Sequence, residues 1–246
     1  MRELFTGGVD EIAVLGAHCD DIAIGMGGTL LALCSDRPGL RVHALVLSGG
    51  GGEREAEERA ALDAFCPGAS VRVTVLDIPP DGRAPPAHWQ QVKSALHEFR
   101  RSCDPAVVFF GPHRHDAHQD HRLLAELLPT EFRDHLILGY EIVKWETDTP
   151  RPNLFHPLPH GVAETKARLL GKHYPSQATH DWFDDEAFLG LARLRGVQCT
   201  AATRRRSRQR SCPSDSEVVE CEFSSPDIRV TSVRSWSACC VRPVTT

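Results

Sequence analysis

Glu11-Ile12-Ala13-Val14-Leu15-Gly16-Ala17-His18-Cys19-Asp20-Asp21 runs, after Glu11, through four consecutive apolar residues and ends on a cluster of ionisable ones. An unbroken apolar run this short predicts a buried strand over 11–17, and the small-residue stretch 25–34 that follows predicts a helix packed close against it. The same alternation continues outward. Strands are expected at 42–47, 71–76, 106–110 and 136–140, and helices at 53–65, 87–101 and 119–128. Strands interleaved with helices of this length imply βαβ units and a mostly parallel sheet covered on both faces.

The expected fold class is therefore α/β: a three-layer, Rossmann-like fold with helices on both faces of a mostly parallel sheet. In such sheets ligands bind beyond the carboxyl ends of the strands. The two densest ionisable clusters sit there, after the first strand (His18, Asp20, Asp21) and after the fourth (His113, His115, Asp116, His118, Asp120, His121). Both are expected to open on one crevice.

The chain has 246 residues, 28 Lys and Arg against 33 Asp and Glu, 41% hydrophobic residues and nine Cys. That suits one globular domain, without repeats or collagen-like composition. Its longest apolar run, 22–33, holds three Gly and a Thr, too little for a membrane span. Residues 1–10 carry Arg2, Glu3 and Asp10 and no apolar stretch of a secretory signal. The Cys are odd in number and lack Cys-x-x-Cys, which points to reduced thiols and a cytoplasmic location. The mildly acidic balance disfavours nucleic acid as a partner. Oligomeric state is not encoded in these features.

From about residue 200 the character changes. The last 46 residues hold nine Ser, eight Arg and no Lys, without helical or strand periodicity, so 201–246 is expected to be an atypical, disordered tail after a domain at 1–200. The basic run 204–210 has no interleaved aromatic and is followed by acids, which fits a solvated segment better than a binding arm.

A hydrolytic metal site needs ligands from separate loops, an open position for water and a nearby base that is not a ligand. His18 and Asp21, three apart in one loop, suit such ligands, with Asp20 between them left as base. His121 completes a two-His, one-carboxylate set, with His118 three residues earlier on the same helical face and Asp120 suited to orienting a His. This donor set suits Zn2+ and also Fe2+. Either cluster alone also reads as a helix cap or solvated surface. Gly25-x-Gly27-Gly28 and Gly49 to Gly52 invite a nucleotide-binding reading, but their spacing is not that of a phosphate cradle, and close helix packing and a rim loop account for them.

Ala17-His18-Cys19-Asp20-Asp21 resembles the Ala-His-Pro-Asp-Asp signature of the PIG-L/LmbE-like zinc-dependent N-deacetylases, with Cys19 in place of Pro. His118-Gln119-Asp120-His121 resembles their second signature, His-x-Asp-His. Arg54-x-x-Glu57, Tyr174-Pro175-Ser176-Gln177 and Leu194-Arg195-Gly196 are similar to further landmarks, and the likeness spans about 12–200. It implies zinc on His18, Asp21 and His121, Asp20 as general base, and His118 as a polarising or proton-donating group supported by Asp120. The implied activity is removal of acetyl from an N-acetyl amino sugar conjugate; the alternatives are an amidase acting on another acyl group and a non-catalytic sugar- or nucleotide-binding protein. Cys19 alters the stiffness of the loop more than its ligand set, while bringing a sulfur close to it.

Arg54 and Trp145 are the candidate substrate-binding residues. Arg54 suits a substrate hydroxyl or phosphate, or else a helix-end pairing with Glu57 or Glu58. Trp145, with Trp182 and Phe183, suits an aromatic wall for a sugar ring, or plain core. After Leu194-Arg195-Gly196, relatives continue with a stretch like Tyr-Ala-Glu-Ala-Phe, which this chain lacks. Ala202-Thr203-Arg204-Arg205-Arg206-Ser207 can be encoded by GCT ACG CGG AGG CGT TCN, which two bases on reads Tyr-Ala-Glu-Ala-Phe. The hypothesis is a frameshift near residue 200.

Overall fold

The computed structural model describes residues 9–78, 85–104, 107–144, 148–199 and 218–222. Five strands, β1 (Glu11–Gly16), β2 (Arg41–Val46), β3 (Ser70–Val75), β4 (Val108–Pro112) and β5 (Ile137–Tyr140), form one sheet in the order β3-β2-β1-β4-β5. Every pairing is parallel, with Ile12 opposite both Val42 and Val108. The order reverses between β1 and β4, and a crevice opens at such a switch point. It is bounded by the two strands whose carboxyl ends carry the ionisable clusters.

β1 is buried throughout because both faces of the sheet are covered. Ile12 and Val14 face a core shared with α1 (Asp21–Asp36), α2 (Glu53–Phe65) and α5 (Val162–His173), including Ile22, Met26, Phe65 and Leu170. Ala13 and Leu15 face the opposite core, with Leu96 and Phe99 of α3 (Trp89–Arg101) and Leu124 and Leu128 of α4 (Gln119–Glu131). α6 (Asp185–Gln198) packs against α5 and contributes Phe188 to the first core. The three-layer fold is as expected.

Element boundaries move where side chains reward it. α1 begins at Asp21, four residues before the glycine stretch, because Asp21 caps its own loop by accepting hydrogen bonds from the backbone N–H of Ala17 (3.0 Å) and His18 (2.8 Å). The helix glycines serve close approach: a Cβ on Gly25 would lie 2.2 Å from the Tyr140 ring, and one on Gly27 2.7 Å from Phe65. α3 starts after a 3₁₀ turn at Pro85–His88, and α4 runs past Pro129 to Glu131. Beyond the main sheet, β6 (Phe155–Leu158) pairs antiparallel with β7 (Val218–Glu222), so five residues of the segment expected to lack structure lie in a strand. No described helix is long and apolar enough to cross a membrane.

Candidate metal centre

The crossover from β1 into α1 makes a tight loop of residues 17–20. Asp20 takes φ 122°, the only positive φ among the described non-glycine residues. Such a conformation costs an L-residue about 1–3 kcal/mol and persists only where its surroundings impose it. Here the Asp20 N–H donates to Glu58 Oε2 (2.9 Å), the Asp20 carbonyl accepts the first α1 bond from Ile24 (2.9 Å), and the Arg54 guanidinium donates to the Cys19 carbonyl. Glu58 is itself held by the Tyr174 hydroxyl (2.7 Å).

This loop faces the start of α4. His18 Nδ1, Asp21 Oδ2 and His121 Nε2 form a triangle with edges of 3.4, 3.2 and 3.3 Å. Donors about 2.0–2.2 Å from a tetrahedral zinc lie about 3.4 Å apart. The donor set thus fits a divalent metal in spacing and in chemistry. Each imidazole is braced from behind: Asp120 Oδ2 bonds His18 Nε2 (2.9 Å), and Asp116 Oδ2 bonds His121 Nδ1 (2.9 Å). Such carboxylates fix the ring orientation of ligating histidines.

Asp120, expected beside His118, instead serves His18. Its Oδ2 is 3.9 Å from His118 Nδ1, beyond hydrogen-bonding distance. His118 caps α4, its Nδ1 accepting from the Asp120 N–H (3.3 Å), which leaves the proton on Nε2. Its ring lies edge-on to His18, 4.8 Å between centroids, and its nitrogens converge with those of His18 and His121. His113, Asp116 and Asp148 make a second convergence behind His121, joined to the first through the bond from Asp116 to His121 Nδ1.

Asp20 points across the crevice. Its Oδ2 accepts from Arg54 Nη2 (3.0 Å) and, with the Gln177 amide turned so that its oxygen faces Arg54 Nη1 (2.7 Å), from Gln177 (3.3 Å). Its Oδ1 is buried without a hydrogen-bond partner. Arg54 therefore binds the loop and Asp20, with Glu57 Oε2 a further 3.7 Å contact. Trp145 lies outside the described residues. Trp182 stacks on His180 and borders the site through Lys144. Cys19 Sγ donates to the Ser48 carbonyl (3.5 Å), and burial pushes the thiol up to about 12, so it is an inert packing group outside the converging ligand atoms.

Charge in the site is divided unequally. Burial alone would raise the Asp21 carboxyl, but His121, Lys144 and His18 outweigh it and hold it well below the carboxylate range. Asp20 is raised, chiefly by burial and by Asp21 beside it, against Lys144 and Arg54. His118 is lowered to about 4 by burial and by the His121 and His18 rings, so it is a neutral donor at physiological pH. Burial lifts Glu58 to about 8. Asp116, Lys144, Glu58 and Gln177 were not among the residues the sequence marked for roles. Asp116 stood within the second cluster, Gln177 within a resembling landmark, and Glu58 was read only as a pairing partner for Arg54; Lys144 carries no spacing signal.

The fold and site define the class: a parallel α/β protein whose switch point gathers two histidines and a carboxylate that could hold a divalent metal. Residues 13–130, from β1 into the last turn of α4, match the family model described as PIG-L: GlcNAc-PI de-N-acetylase. Residues 13–130 thus carry a domain of this family, and the match includes the loop after β1 and the start of α4. Among solved structures it is similar to a conserved protein of Thermus thermophilus, TT1542 (TM-score 0.62, 21% identity, 94% of this chain and 100% of that one). It is also similar to N,N'-diacetylchitobiose deacetylase of Pyrococcus horikoshii (0.55, 16%, 87% and 84%). A third is 4-carboxy-2-hydroxymuconate hydratase of Pseudomonas putida KT2440 (0.57, 18%, 91% and 99%). At these identities the likeness is one of fold, and a hydratase beside a deacetylase means the reaction has to be argued from the site.

Proposed function

We propose that this chain is a metal-dependent hydrolase that removes the acetyl group from an N-acetyl amino sugar conjugate of the N-acetylglucosamine type, giving acetate and a free amine. One juxtaposition carries the reading: the donor triangle of His18, Asp21 and His121 stands beside a buried carboxylate whose Oδ1 has no hydrogen-bond partner and faces the Lys144 ammonium, 3.6 Å away. The family description supports the choice of bond, an N-acetyl amide of glucosamine.

His18, Asp21 and His121 would hold a zinc or ferrous ion, which would supply Lewis acidity toward the amide carbonyl and the attacking water. Asp20 Oδ1 takes the proton of the attacking water and returns it to the amine nitrogen as the C–N bond breaks. Arg54 and Gln177 occupy Oδ2, so one oxygen does both transfers. His118 donates through Nε2–H to the carbonyl oxygen as it gains charge. The Trp182 and His180 rings offer an apolar wall for a sugar ring.

The test combines three measurements. Protein purified without chelators is expected to carry about one metal per chain, lost in His121→Ala. Acetate is expected from N-acetylglucosaminyl conjugates, and Asp20→Asn is expected to keep the metal while losing about 10²–10⁴ in turnover. Full activity in Asp20→Asn refutes the base assignment. Preference for longer acyl groups redirects the reading to an amidase, and sugar binding without acetate release to a binding protein.

A further inference from the structure

Lys144 lies four residues beyond β5, on a stretch fastened by a buried pair in which Arg195 bonds Glu141 through Nε (2.9 Å) and Nη2 (2.5 Å). Its side chain is only 9% exposed, and Nζ lies 3.0 Å from Asp21 Oδ1 and 3.6 Å from Asp20 Oδ1. The ammonium also sits 5.7 Å from the centre of the Trp182 ring. Burying an ammonium costs several kcal/mol unless carboxylates and an aromatic face replace its water. A lysine so placed is part of the site and not a surface ion pair.

The two oxygens of Asp21 are divided between different tasks. Oδ2 accepts the Ala17 and His18 N–H groups and faces His18 Nδ1 and His121 Nε2, while Oδ1 takes the ammonium. We infer that Lys144 is a positioning residue that reserves Oδ1 of Asp21, so that this carboxylate serves the metal centre through Oδ2 alone, and that the same ammonium stands against the open oxygen of Asp20. The inference rests on the metal-dependent reading above. Limiting Asp21 to one oxygen keeps a position free for water and the substrate carbonyl. The cation also opposes a metal's charge across a few ångströms, so the device costs metal affinity.

That cost makes the role measurable, because a lysine that only braces the fold would leave a weaker metal site when removed. Chelator competition with zinc and the visible absorption of the cobalt(II)-loaded protein would be compared in wild type, Lys144→Met, Lys144→Gln and Lys144→Arg, with thermal unfolding of the metal-free forms alongside. Lys144→Met is expected to bind zinc at least about tenfold more tightly, since a nearby unit charge is removed. Its cobalt bands are expected to weaken as Asp21 supplies a second oxygen. Lys144→Gln, which keeps a donor to Oδ1 without the charge, is expected to gain affinity yet hold the wild-type cobalt spectrum. Lys144→Arg is expected to restore both.

Unchanged affinity and spectrum in Lys144→Met would overturn the assignment, as would weakened zinc binding accompanied by a lower unfolding temperature. If Lys144→Met does not fold, an affinity in Lys144→Gln no tighter than wild type would overturn it instead. Wild-type protein that takes up no metal would overturn the proposed function and this inference together, whereas normal loading with indifferent variants would overturn this one alone.

Discussion

Replacing Glu58 by Gln tests how the strained loop beneath the site is held. Glu58 is fully buried; the Asp20 N–H (2.9 Å) and the Tyr174 hydroxyl (2.7 Å) both donate to Oε2, and Oε1 has no partner. Burial, with Asp20 and Asp21 adding like charge, raises the carboxyl from 4.5 to about 8. The unfolded chain releases this proton near 4.5 and the folded chain near 8, so between those values the folded state binds more protons and stability falls as pH rises. At about 1.4 kcal/mol per pH unit, linkage takes about 3 kcal/mol from the wild type between about pH 5.5 and pH 8. Gln is the isostere of the protonated acid and does not titrate. Urea unfolding of both proteins across this range isolates the effect, because the other titrating groups cancel in the difference. The variant is expected to gain on the wild type by about 3 kcal/mol as pH rises. Parallel stability curves would refute the argument that Glu58 is buried in its neutral form.

Asp116→Asn removes the carboxylate 2.9 Å behind His121 Nδ1 and is expected to weaken metal binding about 10–100-fold in chelator competition, with little change in fold by circular dichroism. Arg195→Met leaves Glu141 buried without its bidentate partner and is expected to cost about 3–5 kcal/mol in urea unfolding, much of it recovered in the double variant with Glu141→Met. A loss under about 1 kcal/mol in the single variant would mean the pair does not anchor the stretch before Lys144. Resequencing the codons for residues 200–207 is expected to yield bases that also spell Tyr-Ala-Glu-Ala-Phe two places on; codons that cannot do so end the frameshift proposal.

Strand positions were legible because a sheet covered on both faces demands apolar residues at every position, as Ile12 to Leu15 display. Helix ends were less so. Asp21 begins α1 because its side chain folds back on the loop, a bond no periodicity encodes. In α4 helical geometry continues past Pro129 to Glu131, although that ring removes an i→i−4 hydrogen bond and usually stops a helix.

The sequence by itself determined the alternation that makes a parallel sheet, and it placed two ionisable clusters after strands 1 and 4, since both follow from local pattern and the rule that ligands gather at strand ends. Only the tertiary structure decided which carboxylate serves which imidazole. Asp120 is two residues from His118 yet bonds His18, across 102 positions of chain, because the cap commits His118 Nδ1 to accepting from the Asp120 N–H and leaves it no proton for the carboxylate. Lys144 and Glu58 likewise come to Asp21 and Asp20 from distant elements. Burial makes those contacts strong, and burial is a property of the folded chain that spacing along the sequence does not carry.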